Sequence, residues 1–273
     1  MDFSNIKLIV TDMDGTLLNE KNEVSPRFFR QFEELKKHDI HFVAASGRQY
    51  QSILSKLEPI KNEISIIGEN GGIMQHADET KVLLKLTDSD VQHCITLLRS
   101  IKDSFIVLCG RKSAYIESSS TKFMTQLKSY YSEVEKVEDL TQIMDDDFVK
   151  IAVYHFDSSE AYIYPQVQNL MDRYQVVVSS QNWLDISHSE ANKAYALKII
   201  QHDLGVTLNE TMVFGDYNND IGMLKLARLS FAMKNAHPNV LQIANYQTKS
   251  NTEEGVEDIL EKLLKSRLPT SSD

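Results

Sequence analysis

The chain has 273 residues, a formal net charge of −10 and a hydrophobic fraction of 42%. That length supports one large or two moderate domains. The acidic balance argues against nucleic acid or an anionic membrane surface as a partner, yet leaves room for phosphorylated small molecules, because a local cation and a few basic groups can overcome the global field. No apolar run reaches membrane-spanning length and the N-terminus lacks a signal-peptide pattern, so the expected location is the cytoplasm. Cys94 and Cys109 lie in apolar surroundings and outside any Cys-x-x-Cys unit, and they read as reduced core thiols.

In chain order, Ile6–Thr11 is short, apolar and uniform, the pattern of a buried parallel strand. Ser25-Pro26 opens a helix, with Ser as its cap and Phe28, Phe32 and Leu35 as its apolar stripe. Ile40–Ala44 and Ile64–Ile67 are further buried strands, ending at Ser46-Gly47-Arg48 and at Gly68-Glu69-Asn70-Gly71-Gly72. From about residue 83 the pattern changes. Strands are expected at Leu83–Leu86, Phe105–Cys109, Val149–His155 and Tyr174–Ser179, with helices at Asp88–Ile101, Ser119–Tyr131 and Ser158–Asp172. Several of these strands alternate apolar and polar residues, as an antiparallel sheet with helices on one face requires. After Trp183-Leu184-Asp185-Ile186 the first pattern returns: a helix over Ala191–Leu204, a strand over Thr211–Phe214, a helix from Asn219, a strand at Leu229–Ala232 and a last helix at Val256–Leu264. Ser266–Asp273 is expected to fray. The fold class is therefore α/β, a doubly wound, Rossmann-like parallel-sheet core (1–82 and 185–273) with an inserted α+β cap domain (83–184).

Five segments at the ends of core elements carry candidate chemistry. Asp12-Met13-Asp14-Gly15-Thr16 follows the first strand. Two carboxylates one residue apart suit attack on phosphorus, one as nucleophile and one handling protons, and both can face a divalent cation. The same spacing also caps turns. Ser46-Gly47-Arg48 can offer a hydroxyl and backbone N–H groups to phosphate, or simply start a helix. Lys193 at a helix start can neutralise phosphate charge, or be solvated. Gly215-Asp216-Tyr217-Asn218-Asn219-Asp220 brings two carboxylates and an amide to a strand end, an oxygen-rich set suited to Mg²⁺. Asn70-Gly71-Gly72 reads as a substrate-facing loop or a hairpin turn.

The order of these segments resembles the haloacid dehalogenase superfamily of phosphohydrolases, and within it the Cof-type subfamily with an α/β cap. The residues that carry the resemblance are Asp12-Met13-Asp14-Gly15-Thr16-Leu17-Leu18, Ala45-Ser46-Gly47-Arg48, Asn70-Gly71, Lys193, Gly215-Asp216-x-x-Asn219-Asp220 and Glu254-Gly255-Val256. The resemblance implies Asp12 as the nucleophile that forms an aspartyl-phosphate, and Asp14 as the acid and then the base. It implies Mg²⁺ on the Asp12 and Asp216 carboxylates and the Asp14 carbonyl, with Asp220 supporting that shell or Lys193. Phosphate would be held by Met13, Ser46, Gly47, Lys193 and Asn219, with Arg48, Asn70 and Gly71 as candidates for substrate contact. The expected partner is a small phosphorylated metabolite. In that family a glycine usually follows the lysine that corresponds to Lys193, and this chain has Ala194 there. The alternatives are a phosphomutase or phosphotransferase using the same intermediate, and a non-catalytic binder, which commonly lacks one of the two aspartates present here. Arg111, Lys112 and Tyr115, in a loop of the cap, are read as solvated, with substrate contact as the alternative.

Overall fold

The computed structural model describes residues 1–267. Its strands in chain order are β1 (Leu8–Asp12), β2 (His41–Ala45), β3 (Ser65–Gly68), β4 (Ile73–His76), β5 (Glu79–Val82), β6 (Ser104–Gly110), β7 (Ala114–Ile116), β8 (Val134–Lys136), β9 (Phe148–His155), β10 (Tyr174–Val178), β11 (Trp183–His188), β12 (Thr211–Gly215), β13 (Leu229–Ala232) and β14 (Tyr246–Gln247). The chain forms two compact units. Among the described residues, one holds Met1–Ala45, Lys56–Ser65 and 197–267; the other holds Ser46–Ser55 and Ile66–Ala196.

The first unit is built on parallel strands in the order β14-β13-β12-β1-β2. β1 and β12 are fully buried, which explains their uniform apolar sequences. From β1 the chain proceeds to β2 on one side, while β12, nearly 200 residues later, pairs on the other. This reversal of strand order at β1 creates a switch point, and loops at the C-terminal ends of strands diverge there. The helix Pro26–Lys37 begins as the sequence requires: Phe28 N–H donates to Ser25 Oγ at 3.0 Å, with Pro26 in the first turn. Phe28 then packs against Phe42 of β2, with ring centroids 5.0 Å apart.

At the other end of this sheet, Lys7 Nζ lies 2.7 Å from Glu210 Oε1, and Thr207 N–H donates to Glu210 Oε2 at 2.9 Å. The Lys7 hydrogen bond, then those of Thr207, lower the Glu210 pKa to about 2. A depressed carboxylate pKa stabilises the fold above the unfolded value and loses that contribution as pH falls through the folded value. Glu210→Gln is therefore expected to lower Tm slightly at pH 7, and the gap to the wild type should shrink as pH falls from about 4.5 towards 2. Calorimetric Tm values at pH 7, 5, 4 and 3 check this; a gap as wide at pH 3 as at pH 7 would refute it.

The second unit contains the antiparallel meander β3-β4-β5 and a six-stranded sheet in the order β10-β11-β9-β6-β7-β8. β9 is buried along its whole length between β6 and β11, both antiparallel to it. Its aromatic and aliphatic side chains share a core with Val107, Phe123, Tyr131 and Trp183.

Three local expectations change. The strand expected at Leu83–Leu86 lies earlier, at Glu79–Val82, paired with Ile73–His76. The helix expected over Ser158–Asp172 is three short pieces, Ser159–Tyr162, Tyr164–Val167 and Gln168–Asp172, because Pro165 cannot continue the first. The last helix extends to Arg267, so Ser266 is helical, and the rest of the tail expected to fray lies outside the described residues. No helix among the described residues is long and apolar enough to cross a membrane, and both cysteines are buried and unbridged.

Candidate active site

In the first unit the switch point brings three carboxylates together. β1 and β12 are in register from Leu8 opposite Thr211 to Thr11 opposite Phe214, so Asp12 stands level with Gly215 and Asp216 follows at once. One carboxylate oxygen from each of Asp12, Asp216 and Asp220 can be chosen so that all lie within 4.8 Å of one another. Asp12 is 4% exposed and Asp220 is fully buried.

The surrounding backbone is shaped to hold these groups. Gly15 has φ +73°, and a Cβ there would meet Asp216 Oδ2 at 2.2 Å, so glycine is needed both for the turn and for the approach. The turn closes through Leu18 N–H to the Met13 carbonyl at 2.8 Å. Thr16 Oγ1 donates to Asp216 Oδ1 at 3.3 Å. Asp220 Oδ2 accepts from the N–H groups of Asp216 and Tyr217, at 2.9 and 3.0 Å, which fixes the loop that carries Asp216. Met13 is buried, while Asp14 and Asn219 are half-buried beside the carboxylate cluster in sequence.

Three carboxylates gathered this closely suit a hard divalent cation, whose charge offsets theirs. The donor set is all carboxylate, which suits Mg²⁺ better than a thiophilic metal. The three carboxylates thus fit a hard divalent cation of the kind that the resemblance implies.

The remaining predicted residues lie in the second unit. Ser46-Gly47-Arg48 meets the turn after β3: Ser46 N–H donates to the Ile67 carbonyl at 2.8 Å, Asn70 N–H to the Ser46 carbonyl at 3.0 Å, and Glu69 N–H to the Arg48 carbonyl at 3.0 Å. Within the first loop, Arg48 N–H donates to Ser46 Oγ at 3.1 Å. The Arg48 guanidinium is buried, donates to the Ser129 carbonyl at 2.6 Å and lies 5.0 Å from the centre of the Tyr130 ring. Glu69, Asn70 and Gly71 have successive φ values of +51°, +53° and +96°. A Cβ on Gly71 would sit 2.3 Å from the Asn192 carbonyl oxygen, so Gly71 is what lets this turn approach the segment that delivers Lys193. Lys193 begins the helix Lys193–Asp203 and is fully buried. Ala194, in the glycine position, is 9% exposed. Of the three residues expected in a solvated loop, Arg111 and Lys112 are exposed, but Tyr115 lies in β7 and is buried; Lys112 N–H donates to Asp146 Oδ2 at 3.0 Å, and so does the Tyr115 hydroxyl.

Three residues that the sequence did not single out join these loops. Lys150 of β9 is 1% exposed, and its Nζ lies 2.8 Å from Glu69 Oε2, 3.6 Å from Asp185 Oδ1 and 2.6 Å from the Gly47 carbonyl, to which it donates. Asn70 Nδ2 donates to Asp185 Oδ2. Burial works against the ammonium, but Asp185 and Glu69 outweigh it and hold Lys150 protonated, well above the ordinary lysine range. Burial pushes the Glu69 carboxyl up, opposed by Lys150. The one sequence signal was a lone charge inside each otherwise apolar strand, Val149-Lys150-Ile151 and Leu184-Asp185-Ile186.

The fold and the carboxylate cluster define an α/β protein with an acidic site at the switch point of its parallel sheet. Residues 9–260 match the family described as haloacid dehalogenase-like hydrolase, and the chain belongs to it, as a Cof-type phosphatase. It is 33% identical over 272 residues to the 5-amino-6-(5-phospho-D-ribitylamino)uracil phosphatase YbjI of Escherichia coli (strain K12), covering 97% of this chain and 98% of that one. It is 28% identical over 255 residues to the phosphatase of the same description, YcsE, from Bacillus subtilis (strain 168), covering 92% and 93%. The crystal structure of SMU.1108c from Streptococcus mutans UA159 superposes with a TM-score of 0.89 at 30% identity, covering 95% of this chain and 99% of that one.

Proposed function

We propose that this phosphatase is Mg²⁺-dependent, cytoplasmic, and hydrolyses small phosphomonoesters of a sugar or cofactor-precursor kind through an aspartyl-phosphate on Asp12. The observation that carries this reading is the close approach of Asp12, Asp216 and Asp220 at the switch point. Asp12 attacks phosphorus; the P–O bond to the leaving group breaks as the Asp12 Oδ–P bond forms. Asp14 gives its proton to the departing alkoxide, then removes a proton from the water that attacks the aspartyl-phosphate, regenerating the Asp12 carboxylate and releasing phosphate. The cation, when bound, neutralises charge between the carboxylates and the phosphate. In this reading the Met13 backbone, Ser46, Gly47, Lys193 and Asn219 hold the phosphate oxygens, and Arg48, Asn70 and Gly71 face the substrate. The inserted segment 83–184 acts as a cap that excludes water from the first step and reads the leaving group.

Two relatives named for a phosphorylated ribitylaminouracil support a polyol or sugar phosphate with a primary phosphate ester as the substrate class. The test is a panel of phosphomonoesters with Mg²⁺, including that compound, hexose and pentose phosphates, nucleotides and an aryl phosphate. We expect the highest kcat/KM among the primary phosphates of polyols and sugars. Absence of phosphate release from every member would remove the reading.

A further inference from the structure

The buried charges of the second unit lie where the Ser46-Gly47-Arg48 loop meets the turn at Glu69-Asn70-Gly71. We propose that Lys150, held by Glu69 and Asp185, is a positioning residue that orients the Ser46-Gly47-Arg48 loop for phosphate; this rests on the reading of that loop as a phosphate cradle.

A single peptide unit transmits the effect. Lys150 Nζ donates to the Gly47 carbonyl at 2.6 Å. In a trans peptide the N–H points opposite to the carbonyl, so pinning the Gly47 oxygen towards Lys150 turns the Arg48 N–H the other way. That N–H donates to Ser46 Oγ at 3.1 Å. A serine hydroxyl that accepts from a backbone N–H keeps its own proton to donate, which is what a phosphate oxygen needs. The ammonium thus fixes the direction in which the Ser46 hydroxyl donates, without touching phosphate itself.

The remaining contacts hold the ammonium in place and extend its influence. Glu69 and Asp185 flank it, and Asp185 in turn accepts from Asn70 Nδ2. A Cβ on Gly47 would meet Asn70 Oδ1 at 3.0 Å, so the loop and the Asn70 amide are packed against each other. Glu69 and Asn70 both adopt left-handed backbone, which non-glycine residues enter only when their surroundings demand it. The Glu69–Lys150 ion pair supplies that demand. A group of one cation and two carboxylates is costly to bury, and hydrophobic residues of similar volume often serve stability as well or better. Its placement against two loops that sequence motifs already mark gives it another purpose.

The test uses the full-length protein and inorganic phosphate as a product inhibitor of aryl phosphate hydrolysis. Lys150→Met with Glu69→Gln removes the donor to Gly47 while avoiding a bare Glu69 carboxylate; Lys150→Leu with Glu69→Gln is a second version. We expect either pair to raise the Ki for phosphate about tenfold or more and to lower kcat/KM by at least as much. Ile151→Ala, in the same strand, is the control: it lowers Tm and leaves the Ki at the wild-type value. Ser46→Ala separates the two claims. If it leaves Ki unchanged, the loop does not hold phosphate and the underlying reading fails. If it raises Ki while folded double variants keep the wild-type value, the positioning role alone is overturned. The positioning role is equally overturned if Ile151→Ala raises Ki as much as the double variants do, or if neither double variant folds.

Discussion

Asn in place of Asp12 is expected to abolish turnover, with kcat falling about 10⁴-fold or more, while the protein remains folded and its Tm holds or rises. The amide has nearly the shape of the carboxylate but is not a nucleophile, so the proposed phosphoryl-enzyme would not form. A 10⁴-fold loss corresponds to about 5.5 kcal/mol of transition-state stabilisation, the scale expected when the attacking group itself is lost. The stability half follows from the cluster. Asp12 is buried near Asp216 and Asp220, and Asn keeps its volume while removing one of the carboxylate charges gathered there, so no cavity opens. Phosphate release and differential scanning calorimetry on the same preparation check both halves. Hydrolysis within tenfold of the wild type would show that another group attacks phosphorus.

Removing divalent metal should have the second largest effect. Excess EDTA is expected to lower kcat/KM more than 100-fold, and Mg²⁺ beyond the chelator should restore it. A readout independent of catalysis follows from linkage. A ligand at 100 times its Kd stabilises the folded state by about 2.7 kcal/mol. For a chain of this size that is a rise in Tm of roughly 5–10 °C. Asp216→Asn should reduce that rise sharply, because Asp216 is one of the three converging carboxylates. Full activity in chelator, or a Mg²⁺-induced shift unchanged in Asp216→Asn, would contradict the assignment.

Much of this was legible in the sequence because the site sits where buried strands stop. An apolar run such as Leu8–Val10 followed by Asp12-Met13-Asp14-Gly15 announces both the strand and the turn beyond it, and Val213-Phe214-Gly215-Asp216 does the same. The β4–β5 hairpin escaped notice for a local reason. Its turn residues Ala77 and Asp78 have φ of +49° and +63°, a conformation usually signalled by Asn-Gly or Asp-Gly, and Ala-Asp carries no such signal. Lys150 escaped because a lysine inside Phe148–His155 reads as one polar position in a strand; only the fold brings Glu69 and Asp185 to it. Lys193 was legible as a helix-start cation, but its complete burial was not, since that depends on what the turn at Gly71 packs against.

The switch point at β1 also has a bearing on biosynthesis. Thr16 and Asp216, which touch through a hydrogen bond, are 200 residues apart. At ribosomal speeds of about 5–20 residues per second, roughly 10–40 s separate the emergence of β1 from that of β12. During that interval a strand destined for the centre of a sheet has a bare edge, a template for unwanted pairing. Closing so long a segment costs only about 1 kcal/mol more than closing one a quarter its length, so the delay is a hazard of exposure rather than of energy. The nascent chain can therefore hold no complete carboxylate cluster until Asp220 has been made, and termination before that point yields a chain without it.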